Sequence, residues 1–161
     1  MIRGYFLLDP TKYPDPPDMP IWYAYPWMDC IIKIPSLAVD STVTMMVDTG
    51  ATGTVLSVKD ALPLLGGRGY RLLRQLGIPK TGIGVGGTSP LIEIAAKIVL
   101  QHEDGALEGF DFDLCVANPA RKGSKKREPQ LKLSSLLGRD IMAHFRVVVD
   151  YSKKQLFFDH V

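Results

Sequence analysis

Asp48-Thr49-Gly50 stands in the segment Val47-Asp48-Thr49-Gly50-Ala51-Thr52. Just before it, Val43, Met45 and Val47 alternate with Thr42, Thr44 and Met46. That period of two, with β-branched residues, predicts a strand that delivers the Asp48 carboxylate at its end. Gly50 lets the backbone turn closely and keeps space open beside the carboxylate, and the Thr49 hydroxyl can hydrogen-bond to fix the loop. One carboxylate at a strand end does not by itself make a hydrolase. Peptide hydrolysis by acid/base carboxylates needs two that share one proton, and the sequence contains a single Asp-Thr-Gly.

Other residue sets compete with this one. Gly82-x-Gly84-x-x-Gly87 has the spacing of a dinucleotide-binding fingerprint, which requires a strand before it and a helix after it. Here a helical pattern and Pro79 precede, while Pro90 and a period-two run follow. A glycine-rich hairpin tip is the better expectation. His102, His144 and His160 show no metal-ligand spacing with one another or with Cys30 and Cys115, so no metal and no cofactor is expected. Both cysteines lie in apolar strand-like runs and read as buried free thiols. Nucleophile-elbow and Walker patterns are missing. The basic run Arg121, Lys122, Lys125, Lys126 and Arg127 has no interleaved aromatics and reads as a solvated loop.

The elements that would position these residues are mostly strands. Cys30, Ile32 and Ile34 alternate with Ile31 and Lys33. Farther on, Ile92, Ile94, Ala96, Ile98 and Leu100 alternate with Glu93, Ala95, Lys97, Val99 and Gln101. Phe110, Phe112, Leu114 and Val116 repeat the pattern, and Val147–Val149 with Leu156–Phe158 close the chain as a hairpin. Residues 59–76 read as helical, broken by Pro63 and Gly66-Gly67 and ended by Gly77 and Pro79. A short helical turn follows Leu136-Leu137-Gly138-Arg139-Asp140. Many short strands and few helices point to an all-β, barrel-like domain.

A length of 161 residues fits one domain, and 46% hydrophobic with 22% charged residues permits a real core. The net charge of +2 gives no general case for nucleic acid or an anionic membrane as partner. Residues 1–28 read as an N-terminal arm, rich in Pro and aromatics over 9–27, and 29–161 as the folded domain. Nothing reads as an export or membrane-spanning signal, so a cytoplasmic location is the default.

The order of these motifs resembles the retropepsin-like aspartic proteases, single-lobe relatives of pepsin. Asp48-Thr49-Gly50-Ala51 is similar to the family's active-site loop, Gly82–Gly87 to its mobile flap, and Leu136-Leu137-Gly138-Arg139-Asp140 to its hydrophobic-hydrophobic-Gly signature. The resemblance spans residues 29 to 158. It implies a single-lobe acid-protease barrel with a flap hairpin and short helices, forming a two-fold homodimer. It further implies an aspartic endopeptidase acting on a peptide or protein substrate. Asp48, Thr49 and Gly50 would be catalytic. Ala51, Thr52, Gly84, Val85, Gly86 and Gly87 would contact substrate, and Arg139 and Asp140 would give structural support.

Two departures bear on substrate. Retroviral members carry acidic residues just after the loop, where this chain has Thr52 and Gly53. Arg139 therefore lacks the acidic partner it has in those enzymes, and substrate anchoring must differ. A helical insertion before the flap is similar to the non-viral members. A second expectation of another class is a catalytically silent retropepsin-like module for dimerisation or peptide binding.

Overall fold

The computed structural model describes residues 1–8, 24–84 and 87–160. The strands are β1 (Ile2–Leu8), β2 (Ala24–Ile34), β3 (Val39–Val47), β4 (Val55–Leu56), β5 (Ile78–Gly84), β6 (Gly87–Gln101), β7 (Leu107–Ala117), β8 (Leu136–Leu137), β9 (Arg146–Asp150) and β10 (Gln155–Asp159). The helices are α1 (Val58–Leu76), α2 (Arg127–Gln130) and α3 (Arg139–Met142). The all-β class read from the alternation holds: all ten strands join one sheet in the order β5-β6-β7-β4-β8-β3-β2-β1-β10-β9.

The long strand β6 explains the architecture. One of its edges pairs with β7 from Leu91 to Gln101. Its other edge is divided. Gly87–Glu93 pairs with β5, and Lys97–Val99 pairs with β2. The second pairing closes a ring through β6, β7, β4, β8, β3 and β2. The first leaves β5 and the start of β6 as a two-stranded hairpin that runs on beyond the last pair with β7.

Side chains of the predicted period point into this ring. Ile32, Ile34, Met45, Leu56, Ile98, Leu100, Leu114, Val116 and Leu137 are fully buried. Burying each such side chain contributes roughly 1.5–3 kcal/mol, which is why the register cannot slip by one residue. Phe110 and Phe112 are half-buried against the same core. Helix α1 lies outside the ring and buries Val58, Ala61, Leu65, Tyr70 and Leu73. Ser57 caps it, its side chain accepting the Asp60 N–H. The break expected at Gly66-Gly67 is a kink at Gly66, which takes φ 57° and ψ −170°, a backbone state open to glycine and strained for other residues.

The N-terminal boundary differs from the sequence reading. β2 starts at Ala24, includes Pro26, and pairs over Ala24–Trp27 with β1, which was not expected as a strand. Pro26 lies within the β1 pairing but one residue before the pairing with β3 begins at Trp27, so on that edge no ladder bond is lost. The rest of the Pro-rich stretch, residues 9–23, lies outside the described residues. No helix among the described residues is long and apolar enough to cross a membrane.

Cys30 is buried and Cys115 half-buried, and both are free. Burial, reinforced by Asp29, pushes the Cys30 thiol up to about 12, and burial with Glu93 and Asp140 nearby raises Cys115. Neither provides a thiolate nucleophile at neutral pH.

Candidate active site

β3 ends at Val47, and the Asp48 loop continues from it to β4. The short strand β8 holds this junction. It pairs in parallel with β3, Met46 opposite Leu136 and Val47 opposite Leu137, and antiparallel with β4, Leu136 opposite Val55. The Asp48 N–H donates to the Leu137 carbonyl at 3.1 Å, which fixes the backbone that carries the carboxylate. The Met46 N–H donates to the Ser135 carbonyl at 2.9 Å one step earlier.

The loop then turns on itself. The Ala51 N–H donates to the Asp48 carbonyl at 3.1 Å, and the Gly50 N–H donates to the Asp48 Oδ1 at 2.8 Å. The second bond sets the rotation of the carboxyl group. A Cβ at Gly50 would lie only 3.1 Å from that oxygen, so glycine leaves the carboxylate room. Thr49, Gly50 and Thr52 are exposed, and Asp48 and Ala51 are partly so.

A second set of bonds ties the loop to α3. The Arg139 N–H donates to the Ala51 carbonyl at 3.0 Å. The Asp140 carboxylate accepts the Thr54 N–H at 2.9 Å and the Thr54 hydroxyl at 2.7 Å. Thr54 Oγ1 in turn accepts the Gly138 N–H at 3.0 Å. Gly138 packs so tightly that a Cβ there would meet the Gly53 carbonyl carbon at 2.4 Å and the Thr54 nitrogen at 2.8 Å. This contact accounts for glycine in the apolar-apolar-Gly sequence more directly than any backbone strain would.

Of the two residues expected to give structural support, Asp140 does so through its side chain and Arg139 through its main chain. The Arg139 side chain is exposed and has no hydrogen bond or ion pair among the described residues. Thr54, Ser57 and Ser135 are buried supports that the sequence reading missed. Ser135 Oγ accepts the Ser57 N–H at 2.9 Å and donates to Asp60. The Ser57-x-x-Asp60 spacing just before a helix was the available signal for part of this network.

The glycine-rich hairpin takes the expected form. β5 and β6 pair from Ile78 opposite Glu93 to Gly84 opposite Gly87, with strands on both sides and no helix after it, so the context of a dinucleotide fingerprint is missing. Val85 and Gly86 lie outside the described residues. Ile83, near the tip, is a large apolar side chain left 87% exposed. β7 links this hairpin to the Asp48 loop. Its Cys115 and Val116 pair with β4, and with Glu93 and Ile92 of β6 on the other edge.

The remaining polar sets lie elsewhere. Arg121, Lys122, Lys125 and Lys126 are exposed on a loop, while Arg127 donates to the Ala120 carbonyl. His102 and His160, unrelated by spacing, meet at Glu108. No family model matches the chain, and no curated protein is significantly similar to it.

Proposed function

We propose that this chain is one subunit of a retropepsin-type aspartic endopeptidase, completed by a second copy of itself. The observation that carries the reading is the Asp48 loop. A part-exposed carboxylate stands at a strand end, oriented by the Gly50 N–H, on backbone locked to β8 and α3. The neighbouring acid, Asp140, is already engaged by Thr54 and Ile141, so it is not available as a second catalytic carboxylate. A two-fold axis beside Asp48 would supply the missing group as the same residue of a second copy.

In that dimer two like charges would sit too close for both to ionise, and the pair would hold one proton. The ionised member takes a proton from a water, which attacks the scissile carbonyl, and the protonated member polarises the carbonyl oxygen. The hairpin of β5 and β6 would close over an extended peptide and exclude bulk water. The rate should rise and then fall with pH, because only the singly protonated pair works.

Incubating the protein with a diverse peptide library, beside Asp48→Asn, tests the reading. Cleavage by the wild type and none by the variant is expected. Cleavage by both at similar rates would remove Asp48 from the mechanism.

One observation favours a second reading, a silent peptide-binding or dimerisation module. Thr52 and Gly53 place no carboxylate beside the loop to hold a substrate backbone, and Arg139 has no acidic partner among the described residues. Self-cleavage of the purified protein on mild acidification separates the two.

A further inference from the structure

We propose that His102, Glu108 and His160 form a binding site for a divalent metal ion of the zinc class. The three belong to separate strand ends that only the fold brings together. His102 follows β6, Glu108 lies near the start of β7, and His160 follows β10. Ile2 of β1 makes the connection: it is opposite Phe158 of β10 and also forms a bridge with His102. His160 is two residues past Phe158 and so leaves the strand on the same face.

The donor atoms lie close together. Glu108 Oε2 lies 2.9 Å from His102 Nε2 and 3.0 Å from His160 Nε2, and all three atoms lie within 4.8 Å of one another. A tetrahedral ion with ligands at about 2.0–2.1 Å separates its donors by about 3.3 Å. The two nitrogen-to-oxygen gaps need open by only about 0.3–0.4 Å to admit it. Two neutral imidazoles and one carboxylate are a donor set that suits zinc and its neighbours in the first transition row, and not the oxygen-seeking calcium or magnesium. The charge also fits, since one carboxylate faces a dication and no lysine or arginine among the described residues is paired with it.

The surroundings are those of a site that can be entered from solvent. The His102 and Glu108 side chains are mostly buried, at 17% and 28% exposure, and His160 is 57% exposed. The imidazole rings stack at 5.7 Å with 15° between their planes, and the buried Phe145 ring lies 5.4 Å from His160. The exposure of His160 would let a water join as fourth ligand. With metal on Nε2, the ring proton of His102 moves to Nδ1, which faces the exposed Met1 amino group at 3.4 Å. That contact is weak and solvent-exposed and would give way. An ion here would clamp the end of β10 to the turn between β6 and β7, and by binding only the folded chain would stabilise it.

The test uses the full chain without a polyhistidine tag, in the Asp48→Asn form and stripped with a chelator. That background removes self-cleavage and any ion held between paired Asp48 residues, so the result is independent of the protease reading. Zinc chloride is titrated by calorimetry, and cobalt chloride by visible absorption, whose intensity reports a low-coordinate nitrogen and oxygen site. Saturable binding of about one ion per chain, with a rise in Tm, is expected. Glu108→Gln and the exposed His160→Ala should each weaken it by at least the roughly 10- to 100-fold that loss of a supporting residue costs such sites. No saturable binding by the parent, or equal binding by both variants, would overturn the proposal.

Discussion

The Asp48 loop and the His102–Glu108–His160 cluster are built on opposite principles. The loop is held by main chain: Asp48 by Leu137, Ala51 by Arg139, and Gly138 pressed against Gly53. The cluster is held by side chains that meet at strand ends, one of them mostly exposed. On the protease reading proposed above, the loop would be incomplete in one chain, since Asp140 is already engaged by Thr54 and only Asp48 is left to act. The proposed cluster lies within one chain, its side chains meeting from backbone that the turn between β6 and β7 and the Ile2 bridge hold. A residue pattern that must be positioned by backbone leaves a local mark in sequence, and one assembled by side chains from remote strands does not.

The largest effect that sharpens this contrast is expected at Asp48. Asp48→Asn should lower peptide turnover by at least the roughly 10²- to 10⁴-fold that general acid–base groups supply, with little change in thermal unfolding. An activity loss matched by loss of fold would mean that Asp48 is a structural residue. Gly138→Ala comes next. The new methyl would collide with backbone that cannot rotate aside, so a cost of about 1–3 kcal/mol or more is expected, seen as a lowered denaturant midpoint and weakened turnover. Unchanged stability would show that the loop is softer than its packing implies.

Thr54→Val should act through the same lock at smaller scale. The hydroxyl donates to Asp140 and accepts from Gly138, so its removal leaves a buried N–H without a partner, a cost of about 1–3 kcal/mol in chemical denaturation. The smallest effect belongs to the other region. His160→Ala, measured in the presence of chelator, should change stability by no more than about 0.5 kcal/mol because the side chain is largely exposed. A large loss without metal would mean that the cluster is a structural hydrogen-bond network.

The same contrast explains what the sequence made legible. Val43, Met45 and Val47 announced the strand before Asp48, and the Ile92–Leu100 alternation announced β6, because one buried face imposes a period of two. Gly66 and Gly138 stood where a kink and a close backbone approach require glycine. β1 was hidden, since a short apolar run carries no signal of which distant edge it will join, and β2 began earlier than the prolines suggested. Cys115 is less buried than Cys30 although both sit in apolar runs. His102 and His160 meet only because β1 lies between β6 and β10, a long-range pairing that no spacing along the chain encodes. Arg139 was read as a structural support, and the contact it makes with the loop is through its amide, which no side-chain pattern encodes.

Mixing wild-type and Asp48→Asn chains tests the central claim, that each active unit needs Asp48 from two copies, more directly than any other measurement. The two are denatured together, refolded at a fixed total concentration well above that needed for association, and assayed on one cleaved peptide. If active sites form by random pairing and need both carboxylates, an equal mixture should retain about one quarter of the wild-type rate, and the rate should follow the square of the wild-type fraction. A rate that falls in simple proportion, to about one half in the equal mixture, would show that one chain suffices and would contradict the account.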